Sequence, residues 1–193
     1  MLNQALQFIL DTIVGLFVYA LLLRFYLQLL RVPYGNPITQ FIVALTDFAV
    51  KPARRVIPGL FGLDLATLFL AWLSALLLTL ALYWLHGFPF LLINASAYVG
   101  FALMALILLI EKSLYLLIFV QLLLFVLSLL SPYSPYMAVV STLSRPFTRV
   151  VQRFIPPIAN IDLSPMVIVL LCQLILMLPV AWLNQLADRK SVV

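Results

Sequence analysis

The chain has 193 residues, of which 66% are hydrophobic and only 9% charged, with a formal net charge of +5. A soluble domain carries about 25% charged residues, so this composition excludes a water-soluble fold and implies an integral membrane protein with a single membrane domain. Cys172 and His86 are the sole cysteine and histidine, which rules out an internal disulfide, a cysteine metal cluster and the usual metal-ligand sets, so no cofactor is expected.

The N-terminal stretch MLNQALQFILD has no basic n-region and no small-residue cleavage site, and reads as retained rather than as a signal peptide. About 20 apolar residues cross a bilayer core as a helix, and the first such span is predicted over about residues 8–31. It carries Arg24, followed by Gln28 and Arg31 at spacings of four and three, which would put all three on one helix face. Arg24 either snorkels to the nearby interface or turns into the bundle toward a carboxylate, a lipid phosphate or a substrate.

Asn36-Pro37 then opens a short helix predicted over about 37–51, with a capping side chain ahead of a proline at the first helical position. Helical spacing puts Ile38, Phe41, Ile42, Leu45 and Phe48 on one face and Gln40, Asp47, Lys51 and Arg54 on the other. Too short and too charged to cross, it suits a helix lying at the cytoplasmic interface, its basic end at Lys51, Arg54 and Arg55 among anionic headgroups. A re-entrant helix packed against the spans is the competing geometry. The second span, about 65–86, starts after Gly62 and Asp64. Gly62 suits a left-handed turn, and Asp64 suits an N-cap, an ion pair with Arg55, or both, with a cation site near the axis as the alternative. At the far end Tyr83, Trp84 and His86 fit an interfacial aromatic belt.

From Phe88 to Leu130 the chain is apolar except for Glu111 and Lys112. This stretch is either two short spans turning at that pair, or one span over about 110–131 preceded by an interfacial or re-entrant piece. Basic residues decide the count. Arg31, Lys51, Arg54 and Arg55 follow the first span, and Arg145, Arg149 and Arg153 precede the last. The positive-inside bias puts both clusters in the cytoplasm, which four spans satisfy and five do not. Both termini then lie on the other side, with Arg189 and Lys190 as a small contrary signal. Asp11 and Lys112 fall near that opposite boundary and are candidates to pair across the first and third spans.

The second half repeats the first. Shifted by 98 positions, Pro37 falls on Pro135, Leu45 on Leu143, Arg55 on Arg153, Ile57-Pro58 on Ile155-Pro156 and Asp64-Leu65 on Asp162-Leu163. Two prolines, an arginine and an aspartate do not align by chance in leucine-rich sequence, so the chain divides into units 1–97 and 98–193. The second unit supplies Ser134 as the equivalent cap, a short helix over about 135–145 and a last span over about 165–186 kinked at Pro179. Its Asp162 is an N-cap, or a partner of Arg153. Two spans per unit make the units parallel, related by a pseudo-twofold axis along the membrane normal, unlike inverted transporter repeats. The Arg24 stripe is not duplicated, since Leu122, Val126 and Leu129 stand there, which argues against a symmetric pore lined by that face.

NPITQF, Thr46-Asp47, KPARRVIP, GLDL and the second unit's IDLSPM resemble the YggT family, the YGGT repeat of bacteria, cyanobacteria and plastids, in its two-repeat form. The second unit departs from the pattern at Arg145 (for an acid), Val150 (for a proline) and Gln152 (for an arginine). The resemblance implies an inner-membrane or plastid protein without a known catalytic activity, whose relatives are associated with osmotic and ion homeostasis, with division and nucleoid organisation, and with cytochrome b6 maturation.

The expected architecture is all-helical: four spans as two parallel repeats, each with a short amphipathic helix. No nucleophile, base and orienter set or phosphate loop is legible, so enzymatic activity and nucleic-acid binding are not expected. One functional reading is a scaffold or assembly factor whose basic face engages anionic lipid and membrane-protein partners. The other is an oligomeric ion or osmolyte conduit, which needs a polar lining where the spans offer little beyond Arg24, Gln28, Gln121 and Gln173.

Overall fold

A computed structural model of the chain describes residues 1–32, 35–59, 62–90, 95–131, 133–134, 136–154 and 162–185. The helices are α1 (Leu2–Leu29), α2 (Pro37–Val56), α3 (Leu65–Leu85), α4 (Ala95–Leu130), α5 (Met137–Gln152) and α6 (Ser164–Ile175). A π turn, Leu176–Val180, carries α6 on to Gln185, and Pro179 sits within it. Among the described residues four helices are long and apolar enough to cross a membrane: α1, α3, α4 and α6 with its extension. Only 17% to 33% of each span is buried in the protein, so most of the apolar surface faces outward, as lipid contact requires.

Asn3 Nδ2 reaches the Leu85 carbonyl at 3.4 Å, and at the other end Arg54 joins Gln28 of α1 to Asp64 ahead of α3. The α1–α3 pair is therefore antiparallel. Its seam is lined by small residues of α3, with Thr67, Ala71, Ala75 and Thr79 buried at a spacing of four, which lets the helix backbones approach closely. By contrast α1 and α4 run parallel. Lys112 lies beside Gly15 and Tyr19, Leu116 clusters with Leu22, and Val120 and Leu124 cluster with Leu27. Parallel units place both basic clusters at the same end of the bundle.

Within each unit the first span, the short helix and the second span all touch one another. Between units α4 packs on both α1 and α3, whereas α1 and α6 form no comparable contact. A twofold axis would pair α1 with α6 as it pairs α4 with α3, so the units sit side by side rather than around the expected axis. Trp72 Nε1 donating to the Ala102 carbonyl at 3.2 Å and the Tyr83–Phe101 ring contact at 5.1 Å show why. The N-terminal third of α4 packs on α3.

That third of α4 settles the ambiguous stretch within the described residues. A single helix runs past Glu111 and Lys112, which are good helix formers in a segment without proline, so two short spans turning there are excluded. With 36 residues it is roughly 54 Å long, against a hydrocarbon core of about 30 Å. Helices too long for the bilayer tilt or project beyond it. Residues 91–94 lie outside the described residues, as do Pro135, 155–161 and the tail bearing Arg189 and Lys190.

Both short helices run beyond their predicted ends. α2 continues from Lys51 through Pro52 to Val56. Proline removes one helical hydrogen bond, but Ile57 N still donates to the Ala53 carbonyl at 2.9 Å, which holds the last turn. α5 likewise passes Arg145 and Pro146 to reach Gln152. Asn36 Oδ1 accepts from Ile38 N at 2.9 Å and caps α2. Ser134 Oγ makes the equivalent contact with Tyr136 N at 3.3 Å, yet α5 starts only at Met137, with Tyr136 at its N-cap position, so Ser134 closes a preceding turn rather than capping the helix.

Candidate functional site

On α2 the residues Ile42, Thr46, Val50 and Arg54 recur every fourth position, and the first three are buried. This row, not the full apolar face, is pressed on the spans, since Phe41, Leu45 and Phe48 point outward. Arg24 is 6% exposed and turns into the bundle instead of snorkelling. Its Nη1 donates to Thr46 Oγ1 at 2.7 Å, to Asp47 Oδ1 at 2.9 Å and to the Val43 carbonyl at 3.2 Å. Lys51 Nζ meets the other Asp47 oxygen at 2.8 Å. The bonds from Lys51 and then Arg24 outweigh burial and hold the Asp47 carboxyl below the usual carboxylate range.

One turn beyond Val50, Arg54 donates to Gln28 Oε1 at 2.8 Å and forms a short ion pair with Asp64. Asp64 is 4% exposed. It also caps α3 by accepting from Thr67 N at 3.2 Å and from the Thr67 hydroxyl, so capping and pairing coexist. Burial pushes its carboxyl up, but the hydrogen bonds from Arg54 and Thr67 prevail and leave it below the usual range. The partner is Arg54 and not Arg55, because Arg55 lies about 100° further round the helix and is exposed. Arg31 also leaves the expected stripe. It follows the end of α1 with φ +52°, in a left-handed cap where Val32 N bonds the Leu27 carbonyl at 2.9 Å, and it is exposed. The preceding turn of α3 holds Gly62 at φ +80°, a region glycine enters freely.

The second unit repeats the row as Val140, Ser144, Thr148 and Gln152, with the first three buried. Gln152 takes the place of Arg54, and its Nε2 donates to Asp162 Oδ2 at 2.8 Å. Asp162 Oδ1 accepts from Ser164 N at 2.9 Å. Arg153 is therefore not the partner of Asp162. No salt bridge joins Arg145, Arg149 or Arg153 to a carboxylate among the described residues, and all three are exposed. Each short helix thus borders a cleft. The first, of about 280 Å³, is lined by Arg24, Thr39, Asp47, Lys51 and Arg54. The second, of about 610 Å³, is lined by Ser141, Thr142, Arg145, Arg149, Gln152 and Asp162 among others.

At the other end, Lys112 Nζ lies 3.7 Å from Asp11 Oδ1 and 5.1 Å from the Tyr19 ring centre. This is an ion pair too long for a hydrogen bond. His86 ends α3, its Nδ1 2.7 Å from the Leu82 carbonyl, next to the cluster of Tyr83, Phe88, Phe90 and Phe101. The roles of Thr46, Thr67 and Gln152 were not anticipated from the sequence. Repeat equivalence could have indicated Gln152, because Arg54 and Asp64 map onto Gln152 and Asp162 at one offset; no sequence signal pointed to the roles of the two threonines. Gln121 is fully buried on α4 with no hydrogen-bond partner for either amide atom among the described residues.

Comparison with known proteins agrees with this duplicated arrangement. The family model described as CCB3/YggT matches twice, over residues 3–85 and 103–183. The chain is 32% identical over 174 residues to "Uncharacterized protein YggT" of Escherichia coli K12, covering 89% of this chain and 87% of that protein. It is 36% identical over 197 residues to "Uncharacterized protein PA0392" of Pseudomonas aeruginosa, covering 99% and 94%. Against "Uncharacterized protein in proC 3'region" of Vibrio alginolyticus the identity is 32% over 170 residues, covering 86% and 88%. No solved structure matches.

Proposed function

The chain belongs to the CCB3/YggT family, and from that premise we propose that it is a non-enzymatic scaffold or assembly factor of the bacterial inner membrane, working through the basic face of its short helices. The observation that carries this reading is the division of labour among the charges. Two charged groups beside the spans are consumed internally, Arg24 by Thr46 and Asp47, and Asp64 by Arg54 and Thr67. Arg55, Arg145, Arg149 and Arg153 stay exposed at one end of the bundle. The positive-inside bias makes that end cytoplasmic, where the leaflet is anionic and attracts basic segments. A homo-oligomer would enlarge this face.

The test is recovery of crosslinked membrane partners from cells carrying the wild-type chain or Arg55→Gln/Arg145→Gln/Arg149→Gln. Loss of partners from a folded, inserted variant is the expected result. Unchanged recovery and phenotype would sink the reading. The conduit alternative is checked in vesicles of anionic lipid, where potassium flux above that of empty vesicles, altered by Arg24→Leu, would replace the scaffold reading.

A further inference from the structure

The two clefts descend from one duplicated plan yet treat their charges differently. In the first, Arg24, Lys51 and Arg54 each touch a carboxylate. In the second, the position of Asp47 is occupied by Arg145 and that of Lys51 by Arg149, while Arg24 is replaced by Leu122. The remaining acid, Asp162, is held by the neutral Gln152 amide and the Ser164 N–H. Among the described residues, two arginines one helical turn apart thus face a polar cleft with no salt bridge to a carboxylate, and like charges at that spacing repel.

We propose that the second cleft is a phosphodiester site: the guanidinium groups of Arg145 and Arg149 take the phosphate of an anionic lipid, while the first cleft is the same site closed by its own ion pairs. This rests on the basic-face reading above and narrows it to one ligand and two residues. Guanidinium groups recognise phosphate oxygens with paired, charge-assisted hydrogen bonds. The charge balance selects among phosphates. Two arginines and Asp162 sum to one positive charge, which matches a singly charged diester better than a more highly charged free phosphate. The surroundings select a lipid. Leu124, Met137 and Ala138 line the same cleft as the two arginines, so the headgroup position is contiguous with apolar surface for acyl chains.

The experiment titrates purified protein in non-ionic detergent with dioleoylphosphatidylglycerol, dioleoylphosphatidylcholine or inorganic phosphate, reading binding and thermal shift. Phosphatidylglycerol is expected to bind and stabilise the wild type, and Arg145→Gln/Arg149→Gln to weaken its binding by about thirtyfold, the equivalent of roughly 1 kcal/mol for each of the two basic residues. Lys51→Gln, whose ammonium is already paired with Asp47, is expected to stay within about twofold. If the double variant fails to fold, Arg145→Asp replaces it. That change imports the pairing seen between Asp47 and Lys51 and is expected to abolish binding in a folded protein. Equal weakening by every basic substitution would show diffuse attraction to the anionic surface, overturning the site but leaving the scaffold reading intact. Saturation by inorganic phosphate alone would overturn the lipid assignment. Failure of the scaffold reading would appear separately, as unchanged partner recovery.

Discussion

Asp64 is nearly sealed from solvent and depends on three donors, Arg54 and the amide and hydroxyl of Thr67. Removing the cation strands a buried charge. Arg54→Leu is expected to destabilise by about 1–3 kcal/mol, less than the 3–5 of a wholly buried pair, because Arg54 is 42% exposed on its side chain. Arg54→Gln should lose only part of that, since Gln152 holds Asp162 at 2.8 Å in the second unit. Equilibrium unfolding in detergent distinguishes the two, and equal losses would refute the equivalence. The pH dependence follows from the same contacts. Asp47 and Asp64 have carboxyl groups held below their ordinary range in the folded state. Their stabilisation is therefore complete above the unfolded pKa of about 3.9 and is lost as pH falls through the folded values. Asp64→Asn should flatten this acid-side loss in a pH series of unfolding measurements.

Between elements, the α1–α2 junction depends on Arg24 and Asp47. Asp47→Asn leaves Arg24 buried with neutral partners only, at an expected cost of about 1–3 kcal/mol. Adding Arg24→Leu should recover much of it, because removing both members of a buried pair is milder than removing one. Strict additivity of the two substitutions in a double-mutant cycle would show that the pair is not coupled. The second unit already carries leucine at the position of Arg24, as Leu122, which shows that the α4–α5 junction does without this charge. α4 also contains a misfit of the opposite kind. Gln121 is buried without a partner, and its repeat equivalent is Leu23. Gln121→Leu is expected to stabilise by about 1–2 kcal/mol, since burying an unbonded amide is costly. A loss of stability would show that the amide is bonded in the folded protein.

For the whole molecule, orientation is the property most directly tested. In a Cys172→Ser background, Arg55→Cys should react with an impermeant thiol reagent only after the membrane is opened, and His86→Cys should react without opening it. Labelling in the reverse order would invert the topology. Both positions are exposed, at opposite ends of the α1–α3 pair, so accessibility reports sidedness and not burial. The long α4 adds a constraint of its own. Its N-terminal third packs on α3 through Trp72 and Tyr83, joining the two units on one side and making the assembly asymmetric despite its repeated sequence.

Composition, charge placement and the 98-residue offset were enough to determine a four-span, duplicated helical architecture with both basic clusters at one end. These are properties of chain chemistry summed over whole segments, and they do not depend on where any side chain points. Which arginine meets which aspartate depends on helical phase. Because α2 stays helical to Val56, the buried row through Thr46 and Val50 continues to Arg54, while Arg55 turns outward. Ending the helix at about residue 51 discards that phase and with it the partner. Charge placement already favours one span over two between α3 and α5, but hydropathy cannot say whether the residues before it are interfacial, re-entrant or helical. The packing of Phe101 and Ala102 against α3 makes those from Ala95 onward part of α4. That Arg24 reaches Asp47 is decided by tertiary contact between α1 and α2, whereas the exchange of Asp47 for Arg145 and of Arg24 for Leu122 in the second unit is legible in the sequence.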